Sequence, residues 1–372
     1  MRIVFTGGGT GGHLYPILAV AREIRRIAEE ERILDLQLLY FSPESSIPVE
    51  IAAEEILFRR IRAGKIRRYF SFANFTDGVK VIAGIVQALW RMFIVMPDVV
   101  FAKGGYGSFP TLLAARLYRI PVILHESDAV PGRVNRWAGR WARRSAISFR
   151  EAAEYFPASS TALTGVPIRK QILGGNIELA RESLGLFSAR PVIFVMGGSQ
   201  GARVINETVT QILKELTLQY EVVHQAGEKN YEDVRLETMP ILEGGGASYY
   251  HLGGFFDEEK MRSAYLLADL IVSRAGATAI FEIAAWGKPS ILIPIKNSAQ
   301  DHQRKNAYSY AGRGAAVVVE EDNLTPSVLF NEIQKLMAAP ERRKKLGEEA
   351  KNFAVLDVAE TLAKEILNLG LH

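Results

Sequence analysis

Cysteine is absent from all 372 residues. That excludes a disulfide scaffold, a thiolate nucleophile, Cys-ligated zinc and iron–sulfur clusters, and it fits a reducing compartment. Charge of one sign is also scarce: 45 Lys and Arg stand against 41 Asp and Glu, with a pI near 9.1. This mild excess permits an anionic surface as partner without requiring nucleic acid. The N-terminal apolar run of residues 1–6 gives way to glycine, shorter than the roughly 7–15 apolar residues of a signal peptide, so export is not expected. The longest apolar stretch, residues 79–96, is interrupted by Lys80, Gln87 and Arg91. No segment is expected to span a bilayer, which takes about 20 mostly apolar residues.

What is present is a chain 48% hydrophobic and 23% charged, able to bury a large core. At about 150 residues per domain its length suggests two domains. Short β-branched runs alternate with helical patterns, the signature of parallel sheets covered by helices. Strands are predicted at residues 2–6, 36–41, 98–102, 121–125 and 162–165, then at 191–196, 221–225, 270–273, 289–294 and 315–319. Both halves open with an apolar strand, a glycine-rich turn (residues 7–12, then 197–201) and a helix. The fold class predicted is α/β, two Rossmann-like domains in tandem with parallel sheets facing a cleft. Residues 1–165 form the first, 166–340 the second, and 341–372 carry C-terminal helices that can pack back on the first.

The run from Thr6 to His13 holds five glycines in six positions between a strand and a helix predicted to begin near Tyr15. Glycines there let backbone N–H groups approach a phosphate, and a helix N-terminus favours negative charge. Gly7-x-Gly9-x-x-Gly12 would equally announce a dinucleotide site. A dehydrogenase, however, wants an acid at the end of the second strand, which here reads Tyr40-Phe41-Ser42-Pro43. The second loop, Gly197-Gly198-Ser199-Gln200-Gly201, repeats the device and adds a hydroxyl and an amide. Neither loop ends in the Gly-Lys-Ser/Thr of a nucleotide-hydrolysing P-loop. A third close turn, Ser273-Arg274-Ala275-Gly276-Ala277-Thr278, leads into a helix carrying Glu282. A carboxylate there can accept both hydroxyls of a ribose, or serve only as a partner of the helix dipole. The polar cluster at residues 300–306, with Gln303, follows the strand at 289–294, where ligands of open α/β sheets bind.

Aspartates never occur at i, i+2, so the Asp-x-Asp metal grip of metal-dependent sugar transferases is missing. The six histidines include no His-x-x-x-His, and neither a metal nor a cofactor is expected. A departing diphosphate must then be met by backbone N–H groups, helix dipoles and Arg side chains.

Taken together, Gly8-Gly9-Thr10-Gly11-Gly12-His13, Gly104-Gly105-Tyr106, His125-Glu126, the 197–202 loop, Ser273 to Ala277 with Glu282, and Asp301-His302-Gln303 with Asn306 resemble the MurG family. These are the undecaprenyl-diphospho-muramoylpentapeptide N-acetylglucosaminyltransferases of peptidoglycan synthesis, GT-B glycosyltransferases of family 28. The resemblance implies an inverting, metal-independent transfer from UDP-N-acetylglucosamine to the 4-hydroxyl of a lipid-linked muramoyl-pentapeptide. It implies donor contacts at Thr10, Gly11, Gly12, Asp128, Arg169, Ser199, Gln200, Phe256 beside the uracil, Arg274, Ala275, Gly276, Ala277, Thr278, Glu282 and Gln303. Acceptor contacts fall at Gly8, Gly9, Gly104, Gly105, Tyr106, His125 and Glu126. His13 is the residue expected to take the proton of the acceptor hydroxyl, the alternative being that it only contacts diphosphate. Asp98, ahead of the second glycine pair, is expected to be structural.

Two departures stand out. The family's His-Glu-Gln-Asn reads His125-Glu126-Ser127-Asp128, and its Asn-Pro after the junction glycine reads Val166-Pro167. Asp128 accepts hydrogen bonds as Asn does but cannot donate them, and it adds negative charge beside a diphosphate. A related GT-B lipid hexosyltransferase, or a non-catalytic UDP-sugar-binding partner subunit, are the alternative readings.

Between residues 58 and 92 lie eight basic residues, Arg67 and Arg68 among them, against Asp77 alone, interleaved with Phe70, Trp90 and other aromatics. Arg133, Arg136, Arg140 and Arg143 follow with Trp137 and Trp141. This mixture suits a peripheral seat on an anionic membrane, where apolar groups bury and cations meet headgroups. An RNA face has the same composition, but no nucleic-acid motif accompanies it. The resemblance places the chain on the cytoplasmic face of the bacterial plasma membrane, with cell-wall synthesis and division proteins as further partners.

Overall fold

The computed structural model describes residues 1–8, 11–44, 49–64, 73–198, 202–243, 245–296 and 298–371, with side chains for all of these except 11, 73–77 and 299. The chain divides into two compact units, Met1–Arg169 with Val355–His372, and Lys170–Ala354.

The first unit is built on seven strands: β1 (Arg2–Thr6), β2 (Gln37–Ser42), β3 (Leu57–Arg60), β4 (Val99–Ala102), β5 (Val122–Glu126), β6 (Arg144–Ile147) and β7 (Thr161–Leu163). All pair in parallel, in the order β3-β2-β1-β4-β5-β6-β7. The direction of winding reverses between β1 and β4, the switch point at which such sheets bind ligands. Alternation along β1 supplies both faces. Ile3 and Phe5 pack under the helix Gly11–Glu30, whose Ile17, Val20, Ile24 and Ile27 recur at helical spacing. Val4 faces the opposite core with Ala88, Met92 and Leu112, from the helices Ala73–Val95 and Phe109–Leu117.

The second unit holds six parallel strands: β8 (Val192–Met196), β9 (Glu221–Gln225), β10 (Tyr250–Gly253), β11 (Leu270–Ser273), β12 (Ser290–Leu292) and β13 (Val317–Val318). Their order is β10-β9-β8-β11-β12-β13, again with the switch between the first strand of the unit and the fourth. The two units share a further detail. Asp98 accepts the N–H of Arg2 at 2.7 Å, and Asp269 accepts that of Val192 at 2.8 Å, so each acid pins the start of its unit's first strand.

Three strands escape the sequence pattern. β3 is an edge strand with three of its four residues exposed, β6 opens on arginine after a basic run, and β10 mixes aromatic, histidine and glycine. The helix after the first glycine run starts at Gly11, four residues before Tyr15, and carries Pro16 within it. The unit boundary falls after Arg169 where the sequence suggests 165. The two C-terminal helices part company: Pro340–Phe353 packs on Ala277–Trp286 in the second unit, with the Phe353 ring 5.0 Å from those of Phe281 and Tyr310. Only Val358–Leu371 returns to the first unit, burying Leu362 and Ile366 beside the helix Gly11–Glu30.

Candidate active site

In the first unit the switch point gathers three strand ends. β1 runs into Gly7 and Gly8, β4 into Lys103, Gly104, Gly105 and Tyr106, and β5 into Glu126, Ser127 and Asp128. Gly9 and Thr10 lie outside the described residues. Gly12 and His13 occupy the first turn of the helix, His13 half-buried. A Cβ built on Gly105 would lie 3.5 Å from His13 Nε2, so the imidazole sits against the β4 turn. Gly104 adopts a φ of +82°, and a Cβ there would meet Asn135 Oδ1 at 2.1 Å. Only glycine satisfies both conditions. Tyr106 is 41% exposed at the rim.

Behind this surface lies a buried polar group. Lys103 Nζ stands 2.6 Å from His125 Nδ1 and also donates to Ser127 Oγ. His125 Nε2 stands 2.9 Å from the carbonyl of Gly165. A carbonyl only accepts, so Nε2 carries the proton and Nδ1 accepts from the lysine. Burial, with help from the Lys103 charge, holds the His125 imidazole well below its ordinary pKa. Glu126 accepts from the Asp128 N–H at 2.9 Å, the Gly132 N–H at 3.2 Å and Asn135 Nδ2 at 2.7 Å. Burial and the neighbouring Asp128 raise the Glu126 carboxyl to about 7 against these bonds. His125 and Glu126 are thus buried with their polar atoms engaged inside the unit, and they shape the turn from behind. Asp128 itself is half-buried. Arg169 is buried, its guanidinium 3.8 Å from the centre of the Tyr15 ring.

In the second unit β8 runs into Gly197 and Gly198; Ser199, Gln200 and Gly201 lie outside the described residues. β11 runs through Arg274 and Ala275 to Gly276, which stands at the N-terminus of the helix Ala277–Trp286 with Thr278 half-buried in its first turn. Glu282 is the sixth residue of that helix, beyond the first turn where a helix-dipole partner acts. Its buried carboxylate accepts the Tyr265 hydroxyl at 3.0 Å. Arg274 is buried too, donating to the Ile293 carbonyl at 3.2 Å and to Glu321 at 3.0 Å. Its Nε is buried with no partner among the described residues. Phe256 stacks on Phe194 with centroids 6.1 Å apart and is 6% exposed, whereas its neighbour Phe255 is 41% exposed.

The segment after β12 closes this end of the sheet. Gln303 accepts the Ile295 N–H at 3.2 Å, and Asn306 Nδ2 reaches the Ala275 carbonyl at 3.3 Å. Gln300 and Asp301 both adopt left-handed backbone, φ +59° each, an unusual strain for consecutive non-glycine residues. Glu321, which binds Arg274, also accepts the Lys296 N–H at 2.5 Å and lines a cavity of about 730 Å³ with Gln300, Asp301 and Arg304.

Sequence reasoning singled out the glycine turns, Arg274, Glu282 and Gln303 as candidates. It missed Lys103, Asn135, Tyr265 and Glu321, whose partners stand 22, 9, 17 and 47 residues away. Only the position of Lys103, directly before Gly104-Gly105, was a signal.

On the outer face of the first unit, the helix Ala73–Val95 buries Gly84, Ala88 and Met92 while Ile82, Val86, Trp90 and Phe93 are between 59% and 65% exposed. Its window Gly78–Val95 has a mean hydropathy of 1.6, enough by length and composition to cross a membrane. The sequence-based expectation that no segment is long and apolar enough is corrected here; the buried face of the helix nonetheless belongs to the core of its unit. Arg140 is exposed, and Arg67, Arg68 and Phe70 lie outside the described residues. Trp137 and Trp141 are half-buried. Their rings pack on each other at 5.2 Å, with the Arg116 guanidinium over both.

Two Rossmann-like units, each with a glycine turn at its switch point, and a buried carboxylate set behind the second, are the architecture of GT-B glycosyltransferases. The chain belongs to glycosyltransferase family 28: residues 3–147 match its N-terminal domain and residues 192–362 its C-terminal domain. Similar proteins include the UDP-N-acetylglucosamine–N-acetylmuramyl-(pentapeptide) pyrophosphoryl-undecaprenol N-acetylglucosamine transferase of Clostridium kluyveri, 37% identical over 90% of this chain and 91% of that one. A transferase of the same name from Bacillus cereus is 36% identical over 96% and 99%. Among solved structures, MurG from Acinetobacter baumannii superimposes with a TM-score of 0.73 at 26% identity, covering 99% of both chains. A Neisseria meningitidis UDP-GlcNAc 2-epimerase, at 13% identity and a TM-score of 0.69, shares the fold.

Proposed function

We propose that the chain transfers N-acetylglucosamine from UDP-N-acetylglucosamine to the 4-hydroxyl of undecaprenyl-diphospho-N-acetylmuramoyl-pentapeptide, forming lipid II from lipid I. The observation that carries this reading is similarity along at least nine-tenths of the chain to relatives named for that transfer. The second unit takes the donor. Glu282, steadied by Tyr265, accepts the ribose hydroxyls, the uracil lies by Phe255 and Phe256, and Gln303 and Arg274 serve the sugar diphosphate. N–H groups of the glycine turns and the positive ends of the following helices meet the charge that develops on UDP. The first unit takes the acceptor at Gly8, Gly104, Gly105 and Tyr106. The acceptor oxygen bonds to sugar C1 as the bond from C1 to the diphosphate breaks; the electron pair leaves with UDP and the proton passes to His13. This displacement inverts the anomeric centre.

The same reading seats the protein peripherally on the anionic cytoplasmic leaflet. The exposed apolar face of the helix Ala73–Val95, beside Arg59 and Arg60, supports it.

The decisive assay is UDP release from a panel of UDP-sugars, with and without the lipid-linked muramoyl acceptor. Acceptor-dependent release from UDP-N-acetylglucosamine is the expected result. Release with another hexose or acceptor would make it a different lipid hexosyltransferase, and UDP-sugar binding without turnover would make it a non-catalytic subunit.

A further inference from the structure

We propose that Glu321 is a positioning residue of the donor site: its two carboxylate oxygens tie the Arg274 guanidinium to the segment 293–296, and that segment in turn orients the Gln303 amide. The inference rests on the transferase reading above, which gives Arg274 and Gln303 to the sugar diphosphate. Strand register brings the acid there. β13 lies on β12 with Ile291 against Val317 and Leu292 against Val318, and beyond the strand the Val319 N–H donates to the Leu292 carbonyl at 3.0 Å. Parallel neighbours leave a sheet at the same end, so the turn Glu321–Asn323 comes to rest beside the chain leaving β12. Glu321 Oε1 accepts from Arg274 Nη2 at 3.0 Å, and Oε2 accepts the Lys296 N–H at 2.5 Å. Arg274 Nη1 donates to the Ile293 carbonyl at 3.2 Å, so the guanidinium spans from the segment to the acid. The side chains of this ion pair are only 9% and 15% exposed. Removing the carboxylate would leave a cation and a backbone N–H without their acceptor where little water reaches them.

The same segment sets an amide. Ile295 N–H donates to Gln303 Oε1 at 3.2 Å, and an N–H faces only an acceptor, so the Gln303 NH2 is turned away from the segment. That end donates to a hydroxyl or phosphate oxygen of the UDP-sugar. Both oxygens of Glu321 are used, one on each donor, and a glutamine in its place would turn an NH2 toward one of them. Glu282 and Phe256, which meet the nucleoside, are held through other residues, Tyr265 and Phe194. Loss of Glu321 should therefore loosen the grip on the diphosphate and sugar and spare the grip on the nucleoside.

The test is calorimetric titration of the full chain with UMP and with UDP-N-acetylglucosamine, for wild type, Glu321→Ala, Glu321→Gln, Arg274→Met and the double variant Glu321→Ala with Arg274→Met. Glu321→Ala should weaken UDP-N-acetylglucosamine binding by about tenfold or more, the scale of lost bonds to a charged group, while UMP binding stays within about twofold. Glu321→Gln should fall between Glu321→Ala and wild type, because one acceptor remains. In the double variant the loss should fall at least about threefold short of the product of the single losses, since much of each is the same contact. Equal weakening of UMP and UDP-N-acetylglucosamine, unchanged UDP-N-acetylglucosamine affinity, or single losses that simply multiply would each overturn the proposal. If Glu321→Ala fails to fold, Glu321→Gln carries the same comparison with the same overturning results; failure of both to fold makes Glu321 a structural residue only and overturns it as well. A wild type that binds UDP-N-acetylglucosamine and turns nothing over defeats the transferase reading alone, and the binding comparison still decides the role of Glu321. A wild type that does not bind it overturns both.

Discussion

Tyr265 donates its phenolic hydroxyl to Glu282 at 3.0 Å, both residues buried in the second unit. The tyrosine ring is itself fixed, edge-on to Phe194 at 5.6 Å and stacked with Trp286 at 6.5 Å. The carboxylate is thereby held in one orientation before any ligand arrives. Glu282→Ala should weaken UDP binding by roughly 1.5–3 kcal/mol, the scale of hydrogen bonds to a charged group, and Tyr265→Phe by roughly 0.5–1.5 kcal/mol. Calorimetric titration with UDP measures both; unchanged affinity in Glu282→Ala removes the ribose role.

His13 stands against the Gly105 turn at the first unit's switch point. His13→Ala should lower turnover by roughly 10²-fold or more with UDP affinity barely altered, as loss of a general base does. A variant that loses UDP binding while turning over normally at saturating donor would make His13 a phosphate contact instead.

Chelation should leave activity intact. The sequence offers no Asp-x-Asp pair, and among the described residues no three His, Asp or Glu side chains converge. Activity that disappears in EDTA and returns only with magnesium or manganese would sink the metal-free mechanism.

The helix Ala73–Val95 keeps its core contacts on the Gly84, Ala88, Met92 side. Replacing Ile82, Val86, Trp90 and Phe93 with Ser changes only its exposed side. Co-sedimentation with anionic vesicles should fall about tenfold or more, while UDP affinity is retained. Adding Arg59→Gln and Arg60→Gln should cost up to ~2 kcal/mol more at low salt, at ~1 kcal/mol per cation near such a surface. Undiminished sedimentation, or preference for RNA in competition, would assign this face elsewhere.

His224 is fully buried between Asn206 Oδ1 at 3.1 Å and the Tyr250 hydroxyl at 2.8 Å, and burial lowers its pKa to about 3. The unfolded chain takes up a proton below about pH 6.5 that the folded one refuses, so stability falls as pH drops through that window. The loss is about 1.4 kcal/mol per pH unit, or about 2 kcal/mol between pH 6.5 and 5. Urea unfolding followed through Trp286, the single tryptophan of residues 170–354, should show this slope in wild type and a flatter one in His224→Gln. Equal slopes would mean that His224 titrates in the folded state.

Much of this architecture is written locally. Ile17, Val20, Ile24 and Ile27 at helical spacing, the buried β-branched strands, and the glycine runs directly after β1 and β8 are features of neighbouring residues, and they fix two parallel sheets with turns suited to phosphate. The tandem repeat was legible for the same reason, whereas the pairing of the acids at 98 and 269 in corresponding roles came only from the structure. Glu282 was legible as a carboxylate in the helix behind a close turn.

Tertiary structure alone decided which polar groups answer one another. Lys103 finds His125 across 22 residues and His125 finds Gly165 across 40, while Arg274 turns to Glu321 across 47. Period and propensity describe a residue's own element and carry no record of such partners. A buried polar atom must be satisfied, but any of several distant groups would satisfy it until the strands are set in order. The same holds for the helix Val358–Leu371, whose apolar stripe asks for burial and does not say where. The sequence determined that these groups and faces would be buried; the order of the strands determined against what.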